Sequence, residues 1–115
     1  MGRLSTHVLD TTRGKPGSGV ALELARLEPD GSWRLVASAR TNADGRTDAP
    51  LLQGEALVAG TYLLSFAAGD YFRANGAQSP FLDIVPIRFI VSDAAANYHV
   101  PLVVTPWSYS TYRGS

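Results

Sequence analysis

The chain has 115 residues, with 10 basic and 10 acidic side chains, two histidines and no cysteine. This length suits a single domain over residues 1–115, and a formal net charge of zero argues against a nucleic-acid or membrane-surface role, since both usually need a basic patch. The lack of cysteine excludes disulfides, thiolate nucleophiles and cysteine-ligated metals.

The N-terminal segment alternates in the manner of a strand from Leu4 to Asp10. One face carries Thr6 and Val8, and the other carries Ser5, His7 and Leu9. No apolar run approaches the ~20 residues of a membrane span. Because the strand begins almost directly after Met1, there is no room for a signal peptide, and we expect a cytoplasmic protein.

A predicted hairpin follows a Gly- and Pro-rich loop over residues 12–19. Its strands run from Val20 to Glu28 and from Trp33 to Arg40, and Pro29-Asp30-Gly31-Ser32 forms the turn. In the second strand, one face is predicted to carry Trp33, Leu35 and Ala37. A second turn, Thr41 to Arg46, contains Asp-Gly, which accepts positive φ angles, and so presents Arg46 at a fixed angle.

The second half continues the pattern of short strands. Residues 47–50 are a candidate edge strand, since Pro50 cannot donate a ladder hydrogen bond, and residues 51–59 are expected to form a loop. The further predicted elements are a strand over 60–68, a two-turn helix with Asp70 as N-cap and Gly76 as stop, a strand over 82–91, a turn over 93–97 and a final strand from Tyr98. Seven to eight strands with one short helix indicate an all-β, two-sheet sandwich.

Both histidines, His7 and His99, lie at the outward phase of these terminal strands. A lone strand histidine usually decorates a solvated sheet face. Here, however, the same face also carries Leu9, Pro101 and Val103, which suggests that another subunit covers it. Histidines on a covered face need hydrogen-bond partners, because an unpaired buried polar group costs ~1–3 kcal/mol.

These residue types suit acid–base chemistry. A histidine near its ordinary pKa is the natural general acid or base at physiological pH, and Arg46 can clamp a carbonyl or an anion. The C-terminal segment adds candidate substrate-binding hydroxyls, namely Thr105, Ser110, Tyr112 and Ser115. Of these, Tyr112 can both stack on a flat ring and hydrogen-bond to it.

Other catalytic classes find little support in the sequence. Two histidines with no His-Glu-x-x-His motif and no third histidine make a zinc site a poor candidate. Gly-x-Ser-x-Gly does not occur. The glycine-rich loop also lacks the Lys-Ser/Thr ending and the following helix of a phosphate loop.

Three segments resemble the 5-hydroxyisourate hydrolases, the transthyretin-related enzymes of purine breakdown. They are Leu4-Ser5-Thr6-His7-Val8-Leu9-Asp10, Thr41-Asn42-Ala43-Asp44-Gly45-Arg46-Thr47, and the C-terminal run from Tyr98-His99-Val100-Pro101-Leu102 to Tyr112-Arg113-Gly114-Ser115. The resemblance covers essentially the whole chain. It implies a transthyretin-like sandwich that assembles as a homotetramer, a dimer of dimers, with active sites where the dimers meet.

The resemblance also implies a reaction and its residues. Water opens the cyclic amide of 5-hydroxyisourate to give 2-oxo-4-hydroxy-4-carboxy-5-ureidoimidazoline, without a metal or cofactor. His7, Arg46, His99 and the last four residues, Tyr112 above all, would form the site. The sequence favours His99 as the base that deprotonates water near His7, but it does not fix which histidine has that role.

Two other functions remain open. One is a non-catalytic, transthyretin-like carrier that holds a small aromatic ligand in the same channel. The other is an adhesive or carbohydrate-binding sandwich module. The second is disfavoured because such modules typically belong to secreted, multidomain chains, whereas this chain is short and has no linker.

Overall fold

A computed structural model describes residues 1–114, and most of its regular secondary structure is strand. The strands are β1 (Arg3–Asp10), β2 (Lys15–Pro16), β3 (Ala21–Leu27), β4 (Trp33–Arg40), β5 (Leu52–Gln53), β6 (Gly60–Ala67), β7 (Ile84–Val91), β8 (Tyr98–Val104) and β9 (Tyr109–Thr111). Helix α1 spans Ala68–Ala74, and a 3-10 turn spans Gly54–Ala56. None of the helices in the described chain has the length and apolar character needed to cross a membrane.

The strands form two sheets, as the sequence predicts. The first sheet has the order β2-β1-β8-β9, with β5 also paired to β1, and the second has the order β4-β3-β6-β7. All neighbours are antiparallel except β1 and β8, which run parallel. The predicted all-β, two-sheet sandwich with one short α-helix is therefore confirmed, and β2 and β5 are additional two-residue strands at its margin.

The core lies between the sheets and is built from alternate residues of each long strand. In β1 the buried side chains are Leu4, Thr6, Val8 and Asp10, and in β8 they include Tyr98, Val100, Leu102 and Val104. The second sheet contributes its own inward residues, among them Leu24, Tyr62, Leu64, Phe66 and Val85. The predicted phase of the two terminal strands is confirmed, so both histidines lie on the face that points away from this core.

Strand β4 departs from the predicted alternation. A bulge opposite Leu24 and Ala25 places two β4 residues where one would be expected, so the strand changes phase at Val36. Leu35 is consequently 57% exposed, whereas Ala37 packs against the core. A strict period of two cannot anticipate a bulge, because the extra residue leaves no local signature in the sequence.

Two further boundaries differ from the sequence prediction. Residues 47–50 do not form a strand, and pairing with β1 resumes instead at Leu52–Gln53, where Leu52 lies opposite Leu4. Helix α1 begins at Ala68 rather than after Asp70, because β6 continues directly into it, and Asp70 lies in its first turn.

Pro86 is accommodated in β7 because this strand is at the sheet edge.

A buried tyrosine–aspartate pair joins the first sheet to α1. The Tyr71 hydroxyl donates to Asp10 Oδ2 over 2.7 Å, and Asp10 Oδ1 accepts from the backbone N–H groups of Thr12 and Arg13. Burial, followed by the Asp10 carboxylate, raises the pKa of Tyr71, so the hydroxyl remains a donor at neutral pH.

Replacing Tyr71 with phenylalanine should therefore destabilise the sandwich. Asp10 is only 1% exposed and would lose one hydrogen-bond partner, which costs about 2 kcal/mol for a buried polar group. Urea titration of the free energy of unfolding measures this change. Tyr109→Phe is the matched control, because Tyr109 is 42% exposed and should change stability by less than about 0.5 kcal/mol. Equal effects of the two variants would contradict the role given to the pair.

Candidate active site

The parallel pairing of β1 and β8 brings the two ends of the chain together. Ser5 lies opposite His99, and His7 lies opposite Pro101. Because alternate residues of paired strands share a face, both imidazoles lie on the outer face of the first sheet, diagonal to one another. They are half-buried even in a single chain, and Pro101 between them is buried.

The turn over residues 42–46 brings Arg46 to the same face. The Asn42 side-chain oxygen accepts from the N–H groups of Asp44 and Arg46 and so holds the turn closed. Gly45 has φ of 74°, and its carbonyl oxygen accepts a hydrogen bond from Val8 N–H. The next residue, Arg46, forms an isolated antiparallel backbone bridge with His7. A Cβ at Gly45 would lie 2.5 Å from the Val8 carbonyl oxygen, so only glycine permits this approach of the turn to β1.

The hydrogen bond of His7 determines which of its nitrogens is free. Its Nε2 lies 2.9 Å from the Asp44 carbonyl oxygen. A carbonyl can only accept, so Nε2 carries the hydrogen and donates. In the neutral ring Nδ1 therefore has the lone pair, and within residues 1–114 it has no hydrogen-bond partner.

His99 is held by contacts on two sides. Its Nδ1 lies 2.9 Å from the Ser5 hydroxyl on the neighbouring strand. On the other side, Gly114 N–H donates to the His99 carbonyl oxygen over 2.8 Å. A Cβ at Gly114 would lie 2.8 Å from ring atom Cδ2, so the missing side chain lets the C-terminal segment pack directly against the imidazole.

The electrostatic environment favours neutral imidazoles. Burial is the main cause that lowers the pKa of His7, and the Arg46 guanidinium lowers it further, while the hydrogen bond to Asp44 opposes both. Burial is also the main cause that lowers the pKa of His99. Arg46 lowers this pKa further, and His7 makes the smallest contribution in the same direction. Among residues 1–114, no carboxylate lies within ion-pair distance of Arg46. The site thus combines two neutral rings with a guanidinium that is available to a ligand.

The C-terminal segment is ordered against the sandwich as far as it is described. Strand β9 pairs with β8, the Thr111 hydroxyl donates to the Pro101 carbonyl oxygen, and the Arg113 guanidinium lies 4.5 Å from the centre of the Tyr98 ring. Tyr112 is 57% exposed and lines a groove at the sandwich edge together with residues of β7. In a single chain its hydroxyl therefore remains open to a further partner.

The other predicted substrate-binding residues lie apart from this cluster in a single chain. Thr105 is six residues beyond His99, about 20 Å along β8, and its hydroxyl accepts from the N–H groups of Trp107 and Ser108 in the β8–β9 turn. Ser110 lies opposite Val103, on the histidine face but about 13 Å along the strand from His99. Ser115 lies outside the described residues.

Sequence reasoning missed two contributors to the site and placed a third there without a specific contact. It placed Ser5 on the histidine face without giving it a role, and it identified neither the Asp44 carbonyl nor Gly114 as a contact of an imidazole. The pairing register of β1 and β8 was needed to find Ser5, and the bridges of His7 to Arg46 and of His99 to Gly114 were needed to find the other two. Among residues 1–114, no group of three or more metal-ligating side chains is close enough to hold an ion.

Fold and site together define a class of protein: a two-sheet β-sandwich with a histidine–arginine cluster on an outer sheet face. Comparison with known proteins identifies the family. The HIUase/Transthyretin family model matches residues 4–114, and the chain belongs to that family.

Individual relatives are similar over their full length. A 5-hydroxyisourate hydrolase of Ralstonia nicotianae is 58% identical over 118 residues, covering 100% of both chains. The solved structure of Klebsiella pneumoniae 5-hydroxyisourate hydrolase has a TM-score of 0.84 and 36% identity, again with all of both chains covered. Sea bream transthyretin in complex with thyroxine has a TM-score of 0.90 at 27% identity, with 97% of this chain and 94% of that chain covered.

Proposed function

We propose that this protein is a 5-hydroxyisourate hydrolase, which opens the cyclic amide of its substrate with water. The observation that supports this most strongly is the cluster of His7, His99 and Arg46 on one sheet face, with both histidine pKa values lowered. Neutral imidazoles can exchange protons with water and with a leaving nitrogen near neutral pH. The names of the full-length relatives supply the substrate.

The proposed reaction has two stages. An imidazole removes a proton from a bound water, and the resulting hydroxide adds to the ring carbonyl next to the amide nitrogen. Arg46 stabilises the developing oxyanion, an interaction worth about 3 kcal/mol for one well-placed donor. The carbon–nitrogen bond then breaks, its electron pair stays on nitrogen, and the protonated imidazole returns its proton there. No metal or cofactor is required for this proton balance.

We further propose that the complete site forms in a homotetramer, a dimer of dimers, in which the outer face of the first sheet meets that of another subunit. Two features support this arrangement. Leu9 and Val103 leave apolar surface beside the histidines, and Tyr112 is exposed without a hydroxyl partner in residues 1–114. A facing subunit would cover the apolar surface at Leu9 and Val103 and would exclude bulk water from the substrate.

A spectrophotometric assay tests the proposed function. Urate oxidase converts urate to 5-hydroxyisourate, whose ultraviolet absorbance decays slowly without a catalyst. Adding the purified protein should accelerate that decay in proportion to its concentration. Decay at the spontaneous rate, with protein that is folded and assembled, would overturn the proposal.

The charge of Arg46 should set the acid limb of the pH–rate profile. A neutral imidazole is needed as proton acceptor, and burial and Arg46 hold the pKa of His7 below its ordinary value of 6.5. Activity should therefore persist below pH 6.5 and fall as the folded-state pKa is crossed. Arg46→Gln removes the positive charge, so the acid limb should move to higher pH as the rate falls.

Two variants control this measurement. Arg46→Lys keeps the charge but loses the planar donors, so its rate should fall while its acid limb stays in place. Arg34→Gln removes an exposed arginine of β4 in the second sheet and should leave both rate and limb unchanged. An unshifted limb in Arg46→Gln would show that Arg46 does not tune the site.

A small-ligand carrier is the second candidate, favoured by the structural similarity to a transthyretin. It predicts that ligand affinity changes little when His7 and His99 are replaced, and that the protein does not accelerate decay of 5-hydroxyisourate. The neutral histidine pair beside an available guanidinium distinguishes the two functions, since a carrier needs no group that exchanges protons.

A further inference from the structure

Ser5 is in contact with a catalytic candidate but has no role in the proposed reaction. Its hydroxyl lies 2.9 Å from His99 Nδ1 and is partly buried. The two residues are direct partners across the parallel β1–β8 pair, so the backbone of the first sheet fixes their separation. A hydrogen bond between two side chains held side by side in this way can orient the imidazole.

The direction of this hydrogen bond follows from the available acceptors. Within residues 1–114, the Ser5 hydroxyl has no acceptor other than His99 Nδ1. If Nδ1–H donated to the serine oxygen, the serine hydrogen would be left without a protein partner in a half-buried position, which costs free energy. Donation from Ser5 to Nδ1 satisfies both groups and leaves the ring hydrogen of His99 on Nε2.

We propose that Ser5 is a positioning residue that makes His99 present an N–H donor to the substrate, while the Asp44 carbonyl makes His7 present a lone pair. This inference rests on the proposed function. Both rings then have the same tautomer, but opposite nitrogens are occupied: Nε2 of His7 by Asp44 and Nδ1 of His99 by Ser5. The open nitrogens are an acceptor on His7 and a donor on His99.

The two histidines thereby acquire different tasks. His7 Nδ1 takes the proton from water, and hydroxide adds to the ring carbonyl. His99 Nε2–H and Arg46 donate hydrogen bonds to the oxyanion, and His99 remains neutral throughout. When the carbon–nitrogen bond breaks, nitrogen keeps the electron pair and takes the proton back from His7. The base is therefore His7, whereas the sequence alone favoured His99.

Removing the serine hydroxyl should shift the pKa of His99 in a predictable direction. A donor to Nδ1 stabilises the neutral ring, so Ser5→Ala should raise the pKa of His99 while leaving that of His7 nearly unchanged. The other charged or titratable groups that act on His99, Arg46 and His7, remain in place. Loss of orientation should also lower kcat by about tenfold, because a slightly misplaced catalytic group loses part of its effect on the rate, with little change in KM.

The experiment combines kinetics with nitrogen NMR of histidine-labelled, full-length protein. Ser5→Thr restores a hydroxyl in a residue suited to strands and should recover both kcat and the His99 pKa. Ser65→Ala is the matched control, because it removes a strand hydroxyl from the other sheet, opposite Glu23, and should match the unmodified protein. In the unmodified protein at neutral pH, the proton of His99 should be on Nε2.

Several results would overturn the proposal. They are a His99 pKa that falls in Ser5→Ala, a loss of kcat with no change in that pKa, or a proton found on Nδ1 in the unmodified protein. The last of these measurements uses the unmodified protein, so it does not require any variant to fold. Failure of the proposed function has a different signature, since a protein inactive toward 5-hydroxyisourate would still report the Ser5–His99 hydrogen bond by NMR.

Discussion

Replacing either histidine with asparagine should lower the turnover of 5-hydroxyisourate by about 10²-fold or more, as expected when a general base is removed at His7 and an oxyanion donor at His99. Asparagine retains hydrogen-bonding groups and fits a half-buried strand position. It cannot exchange a proton near neutral pH, which removes the base at position 7. At position 99 its shorter side chain does not bring an N–H donor to the place of Nε2–H. The double variant His7→Asn/His99→Asn should lose little more than the worse single variant, because residues that act as a unit are not additive.

The effect must be separated from loss of folding. Neither imidazole packs in the core, since both lie on the outer face of the first sheet, so the circular dichroism spectrum and elution volume should not change. Ser38→Asn introduces the same side chain into an exposed position of β4 and should retain the full rate. If both single variants turned over at the unmodified rate, the site would be wrongly assigned.

Deleting residues 112–115 should abolish activity while the sandwich stays folded. Strand β9 ends at Thr111, so the deletion leaves every strand and the core complete. It does remove Gly114 N–H from the His99 carbonyl and removes the glycine that packs on the ring. It also removes Tyr112, the exposed residue proposed to bind substrate. The rate of 5-hydroxyisourate decay and a thermal melt together measure the two outcomes.

A point substitution refines the deletion. Gly114→Ala keeps the length of the chain but places a methyl group 2.8 Å from His99 Cδ2, so the tail or the ring must shift. We expect a rate intermediate between the complete chain and the deletion. Full activity in the truncated protein would show that the C-terminal segment has no part in the site.

The sequence was sufficient for the features that depend on alternation within one strand. In β1, a clean period of two placed Thr6 and Val8 on the face opposite His7. In β8, the same period placed Val100 and Leu102 on the face opposite His99. The structure shows the same alternation of buried and outward side chains in both strands. Side-chain direction in a regular strand is fixed by position alone. The sandwich class, the outward histidines and the presentation of Arg46 by an Asp-Gly turn all follow from such local rules.

Features that depend on pairing between distant segments were not accessible in this way. The bulge in β4, the two-residue strands β2 and β5, and the contact between Ser5 and His99 each require the register of one strand against another. Register is set by the packing of the whole sheet and by long-range closure, so residues 94 positions apart in sequence leave no local sign that they meet.

The most direct test of the central claim is a crystal structure of the assembled protein with a substrate analogue whose ring amide cannot be hydrolysed. We predict that the analogue lies on the outer face of the first sheet, with its ring carbonyl within hydrogen-bond distance of Arg46 and with His7 and His99 both contacting it. An analogue bound elsewhere, or the two imidazoles too far apart in the assembly to contact one molecule, would contradict the account.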